Sequence, residues 1–338
     1  MLKVSKVKIT RDPYIPELTK FALGSRRAIL CAAASILSAG CGRFPSGIGS
    51  PASVWLLPAT GEVTGVIILD SISFRPHLSA GPNGPQAGTD VSDYAAFLDL
   101  TRATSGRFAV VTSFQGARYH PETIRALAAD SQALGATAGA IADAAASLVA
   151  NGVVIDLQAM APADIRALVE VTRAIADSAR KKQPGPIAFV VPAADTAAYP
   201  GALIARTADL LLVRLDGEHR AGTTPGPFAS SPWFTRQLGM RAAEVGASRI
   251  VAELPLFGYR WERTGGVRRV TYDEARTTVL GEATSMQRDP GSRALHASSS
   301  RDGWEIWIND HETVAFLIDA ARRIGVNRFA LVGTPTAR

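Results

Sequence analysis

Only two cysteines occur in 338 residues, Cys31 and Cys41, and both lie near the start of the chain. The body therefore cannot close an internal disulfide or assemble a thiolate metal cluster, and its stability has to come from an apolar core. No apolar run reaches the roughly 20 residues a membrane-spanning helix needs; the longest, after Arg27, is about a dozen. An excess of charge is missing as well. The formal net charge is +6, but residues 1–41 hold seven Lys/Arg against two Asp/Glu, which leaves 29 against 28 in the remainder. A nearly neutral body gives no reason to expect nucleic acid as a partner. No Gly-rich phosphate loop follows the first strand-like segment, which argues against a dinucleotide site. The histidines His77, His120, His296 and His311 share no metal-ligand spacing. Neither a cofactor nor a metal is expected.

What is present begins with a leader. A basic stretch reaches Ser25-Arg26-Arg27, followed by apolar residues to Ala39 and small residues to Cys41. This is the pattern of a twin-arginine export signal over 1–41. Leu37-Ser38-Ala39-Gly40-Cys41 resembles a bacterial lipobox, with Ser38 where Leu is usual, so Cys41 is a candidate for lipidation; ordinary cleavage nearby is the plainer alternative. The expected location is outside the cytoplasm, in the periplasm or cell envelope, with membrane contact only through a lipid on Cys41. Residues 42–60 read as a linker.

From Gly65 short apolar runs alternate with amphipathic stretches, the pattern of parallel strands wrapped by helices. Strands are expected at 65–71, 107–113, 152–157, 186–192, 208–215, 249–256 and 328–332. An eighth is either 53–57 or lost within 72–106. Helices are expected near 91–104, 121–149, 162–181, 196–206, 229–245, 272–283 and 310–324. Thr271 with Glu274 reads as a capping box. An open doubly wound sheet and a closed (β/α)8 barrel, a TIM-type α/β fold, both suit the pattern, and the strand number leans to the barrel, complete or lacking a strand. Residues 258–307 are too long for a plain connection and are read as a small α+β insertion between the seventh and eighth strands. The barrel is placed at 61–335.

Four segments in order then resemble glycoside hydrolase family 18, the chitinase-like barrels, and especially those found beside bacterial polysaccharide deacetylase and glycosyltransferase modules. Asn151-Gly152-Val153-Val154-Ile155-Asp156-Leu157-Gln158 lies on the family's fourth-strand pattern D-G-x-D-x-D-x-E. Val213-Arg214-Leu215-Asp216-Gly217-Glu218-His219, with Pro225-Gly226-Pro227 downstream, is similar to its sixth strand and P-G-P loop. Ile250 to Trp261 resembles the seventh, and Ala320 to Val332 the eighth. The resemblance implies a (β/α)8 barrel and a glycan as ligand.

It also implies a catalytic apparatus that this chain has mostly lost. In the family a Glu at the place of Gln158 protonates the leaving oxygen while the substrate's own acetamide attacks. An amide has no acidic proton to give, so general-acid catalysis fails there. The Asp that would orient the acetamide is Val154, the sixth-strand Met, Tyr and Asp are Arg214, Asp216 and Gly217, and the Trp closing the sugar floor is Val332; Asp156 alone of the acidic motif remains.

Alternation along a strand puts Arg214 on the same side as Asp216, and Glu253 on the same side as Phe257. Both new charges then point into the barrel, and a buried ion needs a partner. Arg214 is expected to pair with Glu253, shared with Asp156 or Asp216. This bridge either merely fills the old centre or forms a polar pocket for a ligand. Glu218 and His219 stand at the strand-end face where barrel enzymes work, as an acid/base unit or as plain loop structure. Trp233, Tyr259 and Trp261 are candidates to stack on sugar rings or to plug the core. Trp304 and Trp307 are expected to pack the insertion.

The sequence thus reads as an exported, non-catalytic barrel that binds glycan or serves envelope polysaccharide machinery, with Gln158, Arg214, Asp216, Glu218, His219, Phe257, Tyr259 and Trp261 as ligand-facing candidates. The first alternative is an active glycoside hydrolase whose acid is reassigned to Asp156, Glu218 or Glu253. The second is a ligand-free scaffold.

Overall fold

The computed structural model describes residues 108–115, 118–147, 152–183, 185–215, 217–282 and 285–332, together with the backbone of the strands Val54–Leu57, Ser71–Phe74 and Ala87–Gly88. All lie within one compact unit, Phe44–Arg338.

Eight parallel strands are laid side by side among the described residues. In chain order they are Val54–Leu57, Ser71–Phe74, Phe108–Thr112, Gly152–Asp156, Ile187–Pro192, Leu210–Arg214, Ile250–Pro255 and Phe329–Val332. From the second to the eighth, each pairs with the next, and the first pairs with the eighth: Val54 lies opposite Phe329, and Ala252 opposite Phe329 from the other side. That order is a (β/α)8 TIM-type barrel in which the ladder between the first two strands is not seen among the described residues. A short antiparallel strand, Ala87–Gly88, borders the second.

Most strand positions are apolar because both faces of the sheet are covered, with charges confined to the C-terminal ends of the fourth, sixth and seventh strands. One set of alternating residues, Val110, Val154, Ala188, Val190, Leu212, Val251, Ala330 and Val332, fills the barrel interior. The other set, including Ala109, Val111, Ile155, Phe189, Leu211, Val213, Ala252 and Leu254, packs against the helices. Of the residues at helical spacing in helix Ile165–Lys182, Leu168, Ile175, Ala176 and Ala179 are buried together with Val171 and Thr172, while Ile165 and Val169 are only partly buried.

Several boundaries differ from the sequence reading. The strand Val54–Leu57 lies inside the stretch 42–60 taken as linker and supplies the barrel strand that was left open. Residues 65–70 and the helix expected at 91–104 lie outside the described residues; the second strand is seen at Ser71–Phe74. The single helix expected over 121–149 is two, Pro121–Ala129 and Ser131–Ser147, because Asp130 takes an extended conformation and its carboxylate accepts from the backbone N–H of Gln132 and Ala133, starting a new helix. The helix expected at 196–206 shrinks to Gly201–Ile204 behind Pro200.

The insertion is a five-stranded antiparallel sheet, ordered Val267–Val270, Gly258–Glu262, Trp304–Ile308, Leu295–Ser299 and Gln287–Arg288. One face is covered by helix Tyr272–Gly281, which contributes Ala275 and Val279 to a cluster with Val270, Ala297, Trp304, Ile306 and Ile308. The helix opens on the expected capping box, the Glu274 carboxylate accepting from the Thr271 N–H. At the start of the insertion only glycine fits: a Cβ on Gly258 would collide with the Trp307 carbonyl oxygen and sit 2.7 Å from the Ile308 Cβ.

Candidate functional site

The inward face of the strands turns from apolar to charged at the C-terminal rim. Leu212 is followed by Arg214, Val251 by Glu253, and Val154 by Asp156, each two residues further along its strand. The Arg214 guanidinium uses all three nitrogens. Nε donates to Glu253 Oε1 at 2.9 Å, Nη2 to Asp156 Oδ2 at 3.1 Å, and Nη1 to the Tyr119 hydroxyl at 3.2 Å. Tyr119 in turn donates to Asp156 Oδ2 at 2.9 Å, closing a ring in which Arg214 only donates, Asp156 only accepts and Tyr119 does both. The carboxylates are almost sealed from solvent, with side-chain exposures of 1% for Asp156 and 6% for Glu253, while Arg214 keeps 15%. A planar fork with five N–H donors suits such a three-cornered site in a way that lysine's ammonium does not.

The expected pairing of Arg214 with Glu253, shared with Asp156, is the pairing observed. Asp216 lies outside the described residues, as does Cys41. Tyr119 was missed by the sequence reading. It sits on a small hairpin, Phe114–Gln115 paired with Arg118–Tyr119, just after the third strand. The signal that could have found it is Gly116, a turn former in the sequence between the runs on either side. Burial pushes the Tyr119 phenol well above its ordinary value, and the Asp156 carboxylate adds to the effect, so it remains a donor at any physiological pH.

Gln158, two residues beyond Asp156, is buried, and its side-chain amide donates to the Val190 carbonyl of the fifth strand at 2.9 Å. The chain turns sharply behind it. Ala159 holds the left-handed region at φ 63°, a conformation that costs an L-residue about 1–2 kcal/mol. The next amide, Met160 N–H, donates to the Tyr199 hydroxyl at 3.0 Å. The loop carrying Tyr199 is clamped by the fully buried Arg241, whose guanidinium donates to the carbonyls of Pro192, Ala193, Asp195 and Tyr199.

Glu218 and His219 do not join the charged ring. The Glu218 carboxylate accepts from the Ser230 hydroxyl at 2.8 Å and from the Ser230 N–H, where helix Ser231–Val245 begins. A carboxylate there complements the helix N-terminus. His219 Nδ1 bonds the Thr224 carbonyl at 3.0 Å, and its ring lies on Gly226, where any Cβ would come within 2.6 Å of it. The two residues thus shape the P-G-P loop. Trp233 packs beside Gly217.

Above the ring, aromatic side chains line the rim toward the insertion. Phe257 meets Phe228 at 4.9 Å between ring centroids, Phe228 meets Tyr259 at 4.9 Å, and Tyr259 meets Trp261 at 5.7 Å. The Arg269 guanidinium carbon stands 3.2 Å from the centre of the Phe257 ring, a cation–π contact. Phe257 and Trp261 are buried, whereas Tyr259 is partly exposed. Val332, which replaces the family's tryptophan, is buried in the interior cluster.

No family profile matches the sequence and no curated protein is similar to it. Solved structures with the same architecture do exist. The spore cortex-lytic enzyme SleL of Bacillus cereus is 13% identical, with a TM-score of 0.68 over 83% of this chain and 70% of that one. A chitinase of Chromobacterium violaceum is 17% identical, with a TM-score of 0.67 over 83% of this chain and 93% of that one. A family 18 chitinase of Cycas revoluta, solved in complex with (GlcNAc)3, is 14% identical, with a TM-score of 0.59 over 70% of this chain and 78% of that one. The strands that resemble the family's fourth, sixth, seventh and eighth occupy those same places in the barrel. The chain has the chitinase-like barrel fold of glycoside hydrolase family 18.

Proposed function

We propose that this protein is a non-catalytic family 18-like barrel that binds a glycan at the strand-end rim. The observation that carries the reading is the commitment of the interior carboxylates to Arg214. Asp156 and Glu253 both accept from its guanidinium, and a carboxylate engaged as an acceptor to a permanent cation is a poor proton donor. Gln158 has no proton to give and is turned into the wall. Glu218, the remaining candidate, is spent on the start of a helix. The rival hydrolase would have to dismantle one of these arrangements.

A glycan is the ligand class favoured by the fold, since a chitinase of this fold is crystallised with an N-acetylglucosamine oligomer, and by Tyr259, the partly exposed ring of the aromatic rim, whose flat face and polar edge suit a pyranose ring. The leader ending at Cys41 supports export, and with lipidation of that residue a place at the envelope, where a partner in polysaccharide export or modification would be met. The test is a titration of the purified protein with N-acetylglucosamine oligomers, muropeptides and exopolysaccharide fragments, following binding and product release together. Binding without product is expected. Sustained product formation that is lost on mutating Asp156, Glu218 or Glu253 would establish the hydrolase, and silence toward every glycan would leave the scaffold.

A further inference from the structure

The N-terminal end of the barrel, opposite the rim, is where each helix ends and the next strand begins. In the stretches that run from a helix's last turn to the following strand, the fifth to eighth strands are preceded by Arg180, Lys181 and Lys182, by Arg206, by Arg249, and by Arg322, Arg323 and Arg328. Only Asp209 and Glu244 oppose these eight cations within the same stretches. Three further carboxylates, Asp143, Asp177 and Asp319, stand one helical turn back and face Lys182, Arg180 and Arg322. This face keeps a positive excess, although the body beyond residue 41 is nearly neutral.

Part of that charge is structural, since three arginines reach across to a neighbouring connection. Arg180 Nη2 donates to the Thr207 carbonyl at 2.7 Å and to Asp209 Oδ1 at 3.0 Å. Arg249 Nη2 donates to the Ala205 and Ala208 carbonyls, each at 2.6 Å, and its Nε to that of Asp209 at 3.1 Å. Arg328 donates to the Ser248 carbonyl. These bonds satisfy carbonyls where helices and turns end, and they stitch four connections into a continuous half-ring. Lys181, Arg206 and Arg323 differ: they are exposed, and among the described residues they have no hydrogen bond or ion pair. A helix C-terminus favours a nearby cation, but one charge per helix meets that need, and helix Ile165–Lys182 alone ends on three.

The chain also enters the barrel at this face. Val54 opens its strand opposite Phe329 in a parallel ladder, next to the connection that carries Arg322, Arg323 and Arg328. Cys41 stands thirteen residues earlier, a reach of at most about 45 Å when extended. With a lipid on Cys41, this is the face nearest the attachment point along the chain. We propose that the half-ring docks on an anionic phospholipid bilayer and so holds the strand-end rim turned away from the membrane. Each cation held near such a surface raises partition about fivefold, within a Debye length. The arginines tied into the connections keep the surface rigid, and Lys181, Arg206 and Arg323 meet the headgroups. The proposal is independent of what the rim binds.

The experiment is hydrogen–deuterium exchange on the purified full chain, with vesicles of phosphatidylcholine alone or mixed with an equal part of phosphatidylglycerol. Residues 1–41 are basic as well and can bind such vesicles themselves, so the place of protection is the deciding readout. Protection is expected at 180–183, 205–209, 246–249 and 322–328 with the anionic vesicles only, with none at Gly258–Glu262 in the insertion, and it should vanish at about 1 M salt. A triple variant, Lys181→Ala with Arg206→Ala and Arg323→Ala, should need at least about tenfold more vesicles for half protection of that face. Arg263→Ala with Arg276→Ala and Arg301→Ala removes three exposed charges from the insertion instead, and should shift that point less than about twofold. Circular dichroism checks both variants, and should either fail to fold, the wild-type pattern decides. Vesicle binding without protection of this face, equal effects of the two triple variants, or protection by a soluble acidic polysaccharide but not by vesicles would each overturn the proposal.

Discussion

Arg214→Met replaces the guanidinium by the residue the resembling family carries and leaves Asp156 and Glu253 facing each other without their cation. Removing one partner of a buried ion pair typically costs about 3–5 kcal/mol, since the survivor's charge stays desolvated. Here two carboxylates with exposures of 1% and 6% survive, so the upper half of that range is expected. Against a total stability of about 5–15 kcal/mol for a domain, such a loss is large. Urea unfolding at neutral pH, followed by circular dichroism, should show the midpoint fall with little change in slope. A second change, Glu253→Leu, made in the Arg214→Met background, should recover part of the loss, because one stranded charge is gone and the site becomes more apolar. The coupling energy of the cycle should reach about 1–3 kcal/mol. A loss below about 1 kcal/mol for Arg214→Met, or strict additivity in the cycle, would refute the view that these charges depend on one another.

Other expectations follow from the same geometry. Gln158→Glu should not create a hydrolase for chitin oligomers and should cost about 1–3 kcal/mol, because a carboxylate would face the Val190 carbonyl in place of an N–H; turnover by this variant would contradict the argument. Arg241→Lys should destabilise by about 3 kcal/mol or more in thermal unfolding, since an ammonium cannot reach the four loop carbonyls the guanidinium holds. The Glu122 carboxyl is held down at about 2, chiefly by its hydrogen bond with His120 and also by Arg118. Its folded value lies below the ordinary 4.5, so whatever stability it adds is present at neutral pH and is lost as pH falls from about 4.5 toward 2. NMR titration should find Glu122 titrating low, and His120→Ala should return it upward.

Much of this was written in the chain's periodicity. Runs such as Gly152–Asp156 and Ile250–Pro255, largely apolar and separated by helical stretches, are the pattern of parallel strands. Alternation along the sixth and seventh strands then forces Arg214 and Glu253 inward, and because a buried charge needs a counter-charge, their meeting could be read before any coordinates. The Thr271–Glu274 capping box is equally local. Where local cues competed, the sequence was ambiguous. Asp130 offers a cap in the middle of a helical run, and a cap is decided by which backbone N–H groups need an acceptor. Val54–Leu57 is four residues of apolar chain, too short to separate from a linker until its partner strand is known.

The rest belongs to three dimensions. Tyr119 entered the charged ring across 37 positions of sequence from Asp156 and 95 from Arg214, and no spacing rule links them. Glu218 looked like chemistry beside His219, but the helix start at Ser230 claimed its oxygens. Trp304 and Trp307, three residues apart, went to opposite faces of a strand, and which face was open was settled by where helix Tyr272–Gly281 lay down. The sequence by itself determined the alternation of parallel strands with helices and the need for an internal ion pair, because these follow from periodicity and from the cost of buried charge; the barrel and the role of Gln158 were implied only by the resemblance to family 18. Which side chains complete that pair, and which aromatic rings face solvent, depended on contacts between segments distant in the chain, and those only tertiary packing could decide.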